Sequence, residues 1–238
     1  MQEIRDIWVY LSASPLLHLT LTLVVFVLAA TVYRKARMNP LLNPVLLSVI
    51  AIVAILRGTQ TSYETYFEGA QFVHFLLGPA TVALAVPLYR QFHRVKKSAI
   101  AISIGLLCGS MTSAMSAVAI ASFLGAETIS LVSLAPKSVT TPVAMSISDE
   151  LGGLPSLTAV IVILTGMVGG MFGPAILDWL KIQDSSIRGF ALGTASHGLG
   201  TARSLEIDEL AGAFSGLAMG LNALVTAAIL PILWNFFF

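Results

Sequence analysis

Six apolar runs divide the chain: Leu16 to Tyr33, Leu41 to Leu56, Phe72 to Tyr89, Ser98 to Phe123, Leu157 to Leu180 and Leu210 to Phe238. A hydrocarbon core is crossed by about 20 apolar residues in a helix. Inside it every backbone N–H and C=O must find a partner within the protein, so such runs fold as helices. Composition agrees, with 56% hydrophobic and 11% charged residues against about a quarter charged in soluble domains. Two further segments, from about Glu127 to Ser148 and from about Gly189 to Arg203, bring the count to about eight. The expected fold is an all-α polytopic membrane protein. No polar linker interrupts it, so residues 1–238 are read as one integral membrane domain, with a peripheral first span in 1–40 and the core in 41–238. Ile4 to Leu11, with Trp8 and Tyr10, reads as interfacial.

Several functions are disfavoured by what is missing. All twelve acidic residues map to loops or segment ends, whereas cation and proton exchangers use carboxylates within the membrane. Cys108 stands alone, so it can form neither an intrachain disulfide nor a cysteine metal site. No phosphate-binding loop, metal-spaced cluster or serine–histidine–acid constellation is present, and an enzyme is not expected. The net charge of +1 and the lack of a basic tail argue against a nucleic-acid partner. The N-terminus lacks a basic n-region and is not read as a signal peptide.

The segment from about Glu127 to Ser148 is not a plain anchor. Lys137 lies about ten residues from either end, near the bilayer centre at roughly 1.5 Å per helical residue. A lysine there costs on the order of 2.5–3.5 kcal/mol and must face a polar cavity. Pro136 removes an N–H and its ring clashes with the carbonyl four residues back, so the helix breaks, and Pro142 brackets the lysine from the other side. A helix restarting near Ser138 would aim free N–H groups at the break, a setting that favours an anion. Lys137 with the hydroxyls of Ser138, Thr140 and Thr141 therefore forms a candidate anion site. The alternative is a surface segment with a solvated lysine.

The second broken segment holds Ser196 and His197 among Gly193, Gly198 and Gly200, which free the chain from helical geometry. His197 could donate to a carboxylate or carry a coupling proton, or it could simply bond to a neighbouring hydroxyl. Arg203 is a second anion anchor or an interfacial partner of Glu206. Ser110, Thr112, Ser113, Ser116 and Asn222 either line a path or bond back to their own helices.

A pattern Leu-[Gly/Ala]-x-x-[Ser/Thr] recurs at Leu77–Thr81, Leu134–Ser138 and Leu192–Ser196, each copy in a segment interrupted by proline or glycine, Pro79 being the breaker in the first. Interrupted segments at corresponding positions point to a transporter site. Copies are parallel if the broken segments cross and inverted if they re-enter. Gly105/Gly109, Gly166/Gly170, Gly169/Gly173 and Gly212/Gly216/Gly220 have the spacing of close helix contacts in lipid, and the last run is expected to be a packing face. Basic clusters at 34–37 and 90–97 are read as cytoplasmic, which places the N-terminus outside.

Leu134-Ala-Pro-Lys-Ser-Val-Thr-Thr-Pro-Val-Ala144 and Ala195-Ser-His-Gly-Leu-Gly-Thr-Ala202 resemble the signature stretches of the LrgB/CidB family, over about Asn43 to Trp234. Lys137, Ser138, Thr140, Thr141, Ser196, His197 and Arg203 fall on its motif positions. The resemblance implies a bacterial inner-membrane protein of one of two kinds. Some members are described as antiholin-like regulators of murein hydrolases, acting with a small holin-like membrane partner. Plastidial relatives are translocators of glycolate and glycerate, and bacterial relatives are linked to pyruvate and similar short monocarboxylates. The leading expectation is thus a secondary transporter of a small monocarboxylate by alternating access, with regulation of murein hydrolase export as the alternative. No cofactor is expected; a proton or a sodium ion could couple the movement. A homodimer is expected as for many such folds.

Overall fold

The computed structural model describes residues 14–36, 39 and 42–237. The interfacial stretch 4–11, together with Arg37 and Pro40, lies outside them. The described residues form twelve helices and no strand, so the all-helical expectation holds. They group into two compact units, residues 14–83 and residues 84–237.

The first unit contains α1 (Pro15–Lys35), α2 (Pro44–Thr59), α3 (Tyr63–Phe75) and α4 (Leu77–Ala83). Its helices start where the sequence signals predict. Pro15 opens α1, and Asn43 Oδ1 accepts from the amides of Val45 and Leu46 ahead of Pro44. Ser62 caps α3 by accepting from Thr65 N. Gly69 lets α3 lie against α1, since a Cβ there would strike the Pro15 carbonyl and His18. The hydroxyls of Thr22 and Tyr66 bond across that contact at 2.8 Å. The break near Pro79 falls at Leu76, just before α4.

The second unit contains α5 (Ala85–Arg90), α6 (Phe92–Lys97), α7 (Ala99–Phe123), α8 (Thr128–Leu134), α9 (Thr141–Glu150), α10 (Pro155–Trp179), α11 (Ser185–Ile207) and α12 (Glu209–Phe237). Its exterior exposes many large apolar side chains, and its interior mixes apolar with polar ones. Phe123, Trp179, Leu224 and Ile232 are exposed, while Ser133, Ser148, Thr158, Ser204, Ser215 and Asn222 are almost fully buried. Hydroxyls retreat inward when the surroundings cannot hydrogen-bond to them. Among the described residues, five helical stretches are long and apolar enough to cross a membrane: Pro15–Lys35, Tyr63–Arg90, Ala99–Phe123, Pro155–Trp179 and Glu209–Phe236. The chain is a multi-pass membrane protein. The count of about eight is not reached by helices of this length, because α2 has 16 residues and the two broken segments are built differently.

Each broken segment folds back on itself. α8 and α9 flank a turn at residues 135–140, and Ser133 Oγ accepts from Leu154 N at 2.8 Å. Those residues would be about 32 Å apart in a straight helix. Gly153 likewise lies against Val132 and Ser133, so α8, α9 and the following turn form a hairpin with its tip at 135–140. In α11 the reversal is at His197, whose φ of 42° and ψ of −130° leave the helix. Ser185 Oγ donates to Asp208 Oδ2 at 2.5 Å, closing a second hairpin from its first residue to the residue after its last.

Two sequence expectations need correction here. Pro142 does not break a helix but opens one, sitting in the first turn of α9 where its missing N–H has no partner to lose. Nor do Gly193, Gly198 and Gly200 make the second break. Among described residues only Gly125 and Gly152 are glycines with positive φ, and the chain turns at His197 instead. Gly193 and Gly200 serve close approach: a Cβ would strike the Ser215 carbonyl and the Leu192 carbonyl respectively.

Candidate functional site

The site lies at the two hairpin tips, which Asn222 and Val162 link. At the first tip Lys137 Nζ donates to Ser113 Oγ of α7 at 2.8 Å and to Ser138 Oγ at 3.2 Å, and the two hydroxyls are 2.6 Å apart. The ion pairs among the described residues, Arg90–Glu209, Arg188–Asp178 and Arg203–Glu206, do not include Lys137. A cation held by two neutral oxygens, with no carboxylate in ion-pair reach, is half of a pair. Ser138 is buried and Lys137, Thr140 and Thr141 are partly exposed. Thr140 precedes α9 without a side-chain cap. The first amides of that helix thus join the hydroxyls around the break as donors for negative charge.

At the second tip His197 Nε2 lies 2.9 Å from the Val162 carbonyl. A carbonyl only accepts, so Nε2 carries the hydrogen. The His197 carbonyl in turn accepts from Thr201 Oγ1, which accepts from Ser215. A non-glycine residue at positive φ stores about 1–3 kcal/mol of strain. Glycines of α10 make the room for it: Gly166 faces the imidazole and Leu199, and Gly169 faces Ser196. Ser196 Oγ is buried without a hydrogen-bond partner. Arg203 is not at the tip. It lies on the returning arm and pairs with Glu206 at 2.5 Å, the partner that the sequence offered.

The two tips are joined through α10 and α12. Asn222 Nδ2 donates to the Ser138 carbonyl at 3.2 Å and to the Thr194 carbonyl at 2.9 Å. Val162 packs its side chain against Val139 and Ala144 of the first hairpin while its carbonyl holds His197 of the second. Ser110 donates to Asn222 Oδ1. The fold thus places Lys137 and Ser138 at one tip and Ser196 and His197 at the other, linked through Asn222 and Val162, and leaves Arg203 apart. Ser113, Asn222 and Ser110 stand out only once neighbours are known. Ser110 and Ser113 share the helix face of buried Leu106 and Ala114, whereas Thr112 and Ser116 are exposed; that spacing of three and four was the available signal.

A cavity of about 310 Å³ lies elsewhere, lined by Ala114, Met115, Val118, Leu230, Leu233 and Trp234 among others. Its walls are apolar apart from Ser122 and carry no cationic side chain, so the polar tip region is the better candidate.

Comparison with known proteins settles the family. The profile of the LrgB-like family matches residues 22–236. The chain belongs to the LrgB-like family. Among LrgB-like relatives, the uncharacterized protein YxaC of Bacillus subtilis is 42% identical over 217 residues, covering 91% of this chain and 94% of the relative. The holin-like protein CidB of Staphylococcus epidermidis is 34% identical over 229 residues, 96% and 99% of the two chains. Its namesake in Staphylococcus aureus is 33% identical over 223 residues, 94% and 97%. No solved structure matches.

Proposed function

We propose that this LrgB-like protein carries a small monocarboxylate, of the glycolate, glycerate or pyruvate type, by alternating access. The observation that carries the reading is Lys137, seated at a hairpin tip between Ser113 and Ser138 with no carboxylate of the described residues in ion-pair reach. A carboxylate would complete the pair, and the hydroxyls would take the substrate's own oxygen. In this reading the hairpins re-enter from opposite faces of the membrane and each tip gates one side.

Charge supports that topology. With both hairpins re-entrant, the ends of the second unit that carry Arg90, Arg94, Lys96, Lys97, Lys181, Arg188 and Arg203 share one side. The turns at 124–127 and 149–154 share the other, with Glu127, Asp149 and Glu150 and no lysine or arginine. By the positive-inside tendency the first side is cytoplasmic, and the N-terminus is then outside. Lysine and arginine would be mixed over both faces if each segment crossed.

The names of the relatives favour a second reading, a holin-like membrane component, and say nothing of transport. Acting as a regulator of murein hydrolase export, alone or with a small membrane partner, would require no anion site. Uptake of labelled glycolate, glycerate and pyruvate into proteoliposomes separates the two. Transport predicts uptake by the wild type and a loss of at least about tenfold, or about 1.4 kcal/mol, in folded Lys137→Ala. Imposed proton and sodium gradients in the same vesicles identify the coupling ion. Absence of uptake by the wild type, with the membrane partner co-reconstituted, overturns transport and leaves the holin-like reading.

A further inference from the structure

We infer that Asn222 is a positioning residue that latches the two hairpin tips to each other, so that neither gate loosens while both of its amide hydrogens are engaged. The inference rests on the gating role proposed for the tips. Asn222 is 1% exposed and stands in α12, which belongs to neither hairpin. Its side-chain amide has four hydrogen-bonding sites, and all four are used. Nδ2 gives one hydrogen to the Ser138 carbonyl of the first tip and the other to the Thr194 carbonyl of the second. Oδ1 accepts from Ser110 of α7 and, at 3.4 Å, from Thr226 one turn away. Both backbone carbonyls can only accept, so the network fixes which end of the amide is nitrogen.

The geometry differs from that of an ordinary core asparagine. Ser138 and Thr194 are 56 positions apart and belong to hairpins that fold back separately, and one planar group holds both. Ser138 is also the residue whose hydroxyl contacts Lys137, so the latch sets the backbone next to the charge. Moving either tip breaks one of the two bonds and leaves a buried donor unpaired until that tip returns, which favours returning before the other departs. Asn222 therefore links the state of one gate to that of the other.

The test compares Asn222→Asp with the wild type in lipid nanodiscs by amide hydrogen exchange. Aspartate keeps the shape and the acceptor but cannot hold both carbonyls. We expect exchange at residues 135–141 and 193–199 to rise together by about tenfold or more, as local opening is favoured, while α7 and α10 exchange as in the wild type. In proteoliposomes the same variant should leak preloaded substrate faster than the wild type while its uptake rate holds or falls; simple destabilisation would lower both. If Asn222→Asp does not fold, Asn222→Ser serves, since its hydroxyl donates one bond in place of two and must release at least one tip. Unchanged exchange at both tips in a folded variant overturns the latch. Exchange does not require transport, so a latch without uptake by the wild type would refute the carrier reading alone.

Discussion

Glycine 193 shows how much one hydrogen atom decides. Its Cα rests on the backbone of Ser215, and Gly189 rests in the same way on Ala211, so the rising arm of α11 meets α12 backbone to backbone. The run Gly212/Gly216/Gly220, expected from its spacing to be the packing face, is not that face throughout. Gly216 has ordinary contact with Leu84, and a Cβ at Gly220 would meet nothing. The neighbouring Ala211/Ser215 row makes the contact instead. Gly193→Ala should therefore destabilise the protein by about 1–3 kcal/mol as overpacking does, seen as a lower apparent Tm in detergent. Gly220→Ala, gaining helix propensity in free space, should be neutral or stabilising by up to about 1 kcal/mol. Equal behaviour of the two variants would contradict the assigned contact.

Among the elements, the second hairpin is held shut at its base by Asp208. The Ser185 hydroxyl and the amide of Ala211, at 2.8 Å, bind its carboxylate, and they hold its pKa below the ordinary aspartate value, the serine being the larger cause. A carboxylate with a lowered folded-state pKa contributes stability that is present above its unfolded-state value, about 3.9. That contribution is lost as the pH falls through the lower, folded-state value. Since Asp208 is partly exposed, a helix-cap contribution of about 0.5–1 kcal/mol is expected. Thermal unfolding from pH 7 to pH 3 should show the wild type ahead of Asp208→Asn at neutral pH, with the gap closing below about pH 4. A gap independent of pH would show that the charge is not what closes the base.

For the molecule as a whole, the path of the chain is the testable quantity. In a Cys108→Ser background, single cysteines replacing the exposed residues Glu127, Glu150 and Gln183 can be labelled from either side of sealed vesicles. Two re-entrant hairpins predict that positions 127 and 150 react from one side and position 183 from the other. If 127 and 150 react from opposite sides, the first hairpin crosses the membrane and the gating scheme fails. The arrangement also accounts for the glycine pairs on other helices. Gly105 faces Phe190 and Gly109 faces Thr194, while Gly166, Gly169 and Gly173 receive His197, Ser196 and Leu192. Both faces make room for the same hairpin, so the polar tip can sit deep between long apolar helices.

What the sequence alone determined follows from local chemistry. Apolar runs of span length specify membrane helices because the lipid offers no partner for the backbone, and Pro136 marks a break because it lacks an N–H. A lysine in mid-segment, with no acid in the middle of any span, already marked Lys137 as the candidate site. The second reversal was not legible in the same way. Nothing in a His-Gly dipeptide makes histidine rather than glycine adopt a φ of 42°, which is locally unfavourable. It becomes stable only against the Val162 carbonyl and the glycine face of α10, 35 residues earlier for the hydrogen bond. Tertiary structure likewise decided that the broken segments fold back, because the bonds closing them join Ser133 to Leu154 and Ser185 to Asp208. It also gave Asn222 its place, since two carbonyls from distant hairpins converge on one amide only after both have turned.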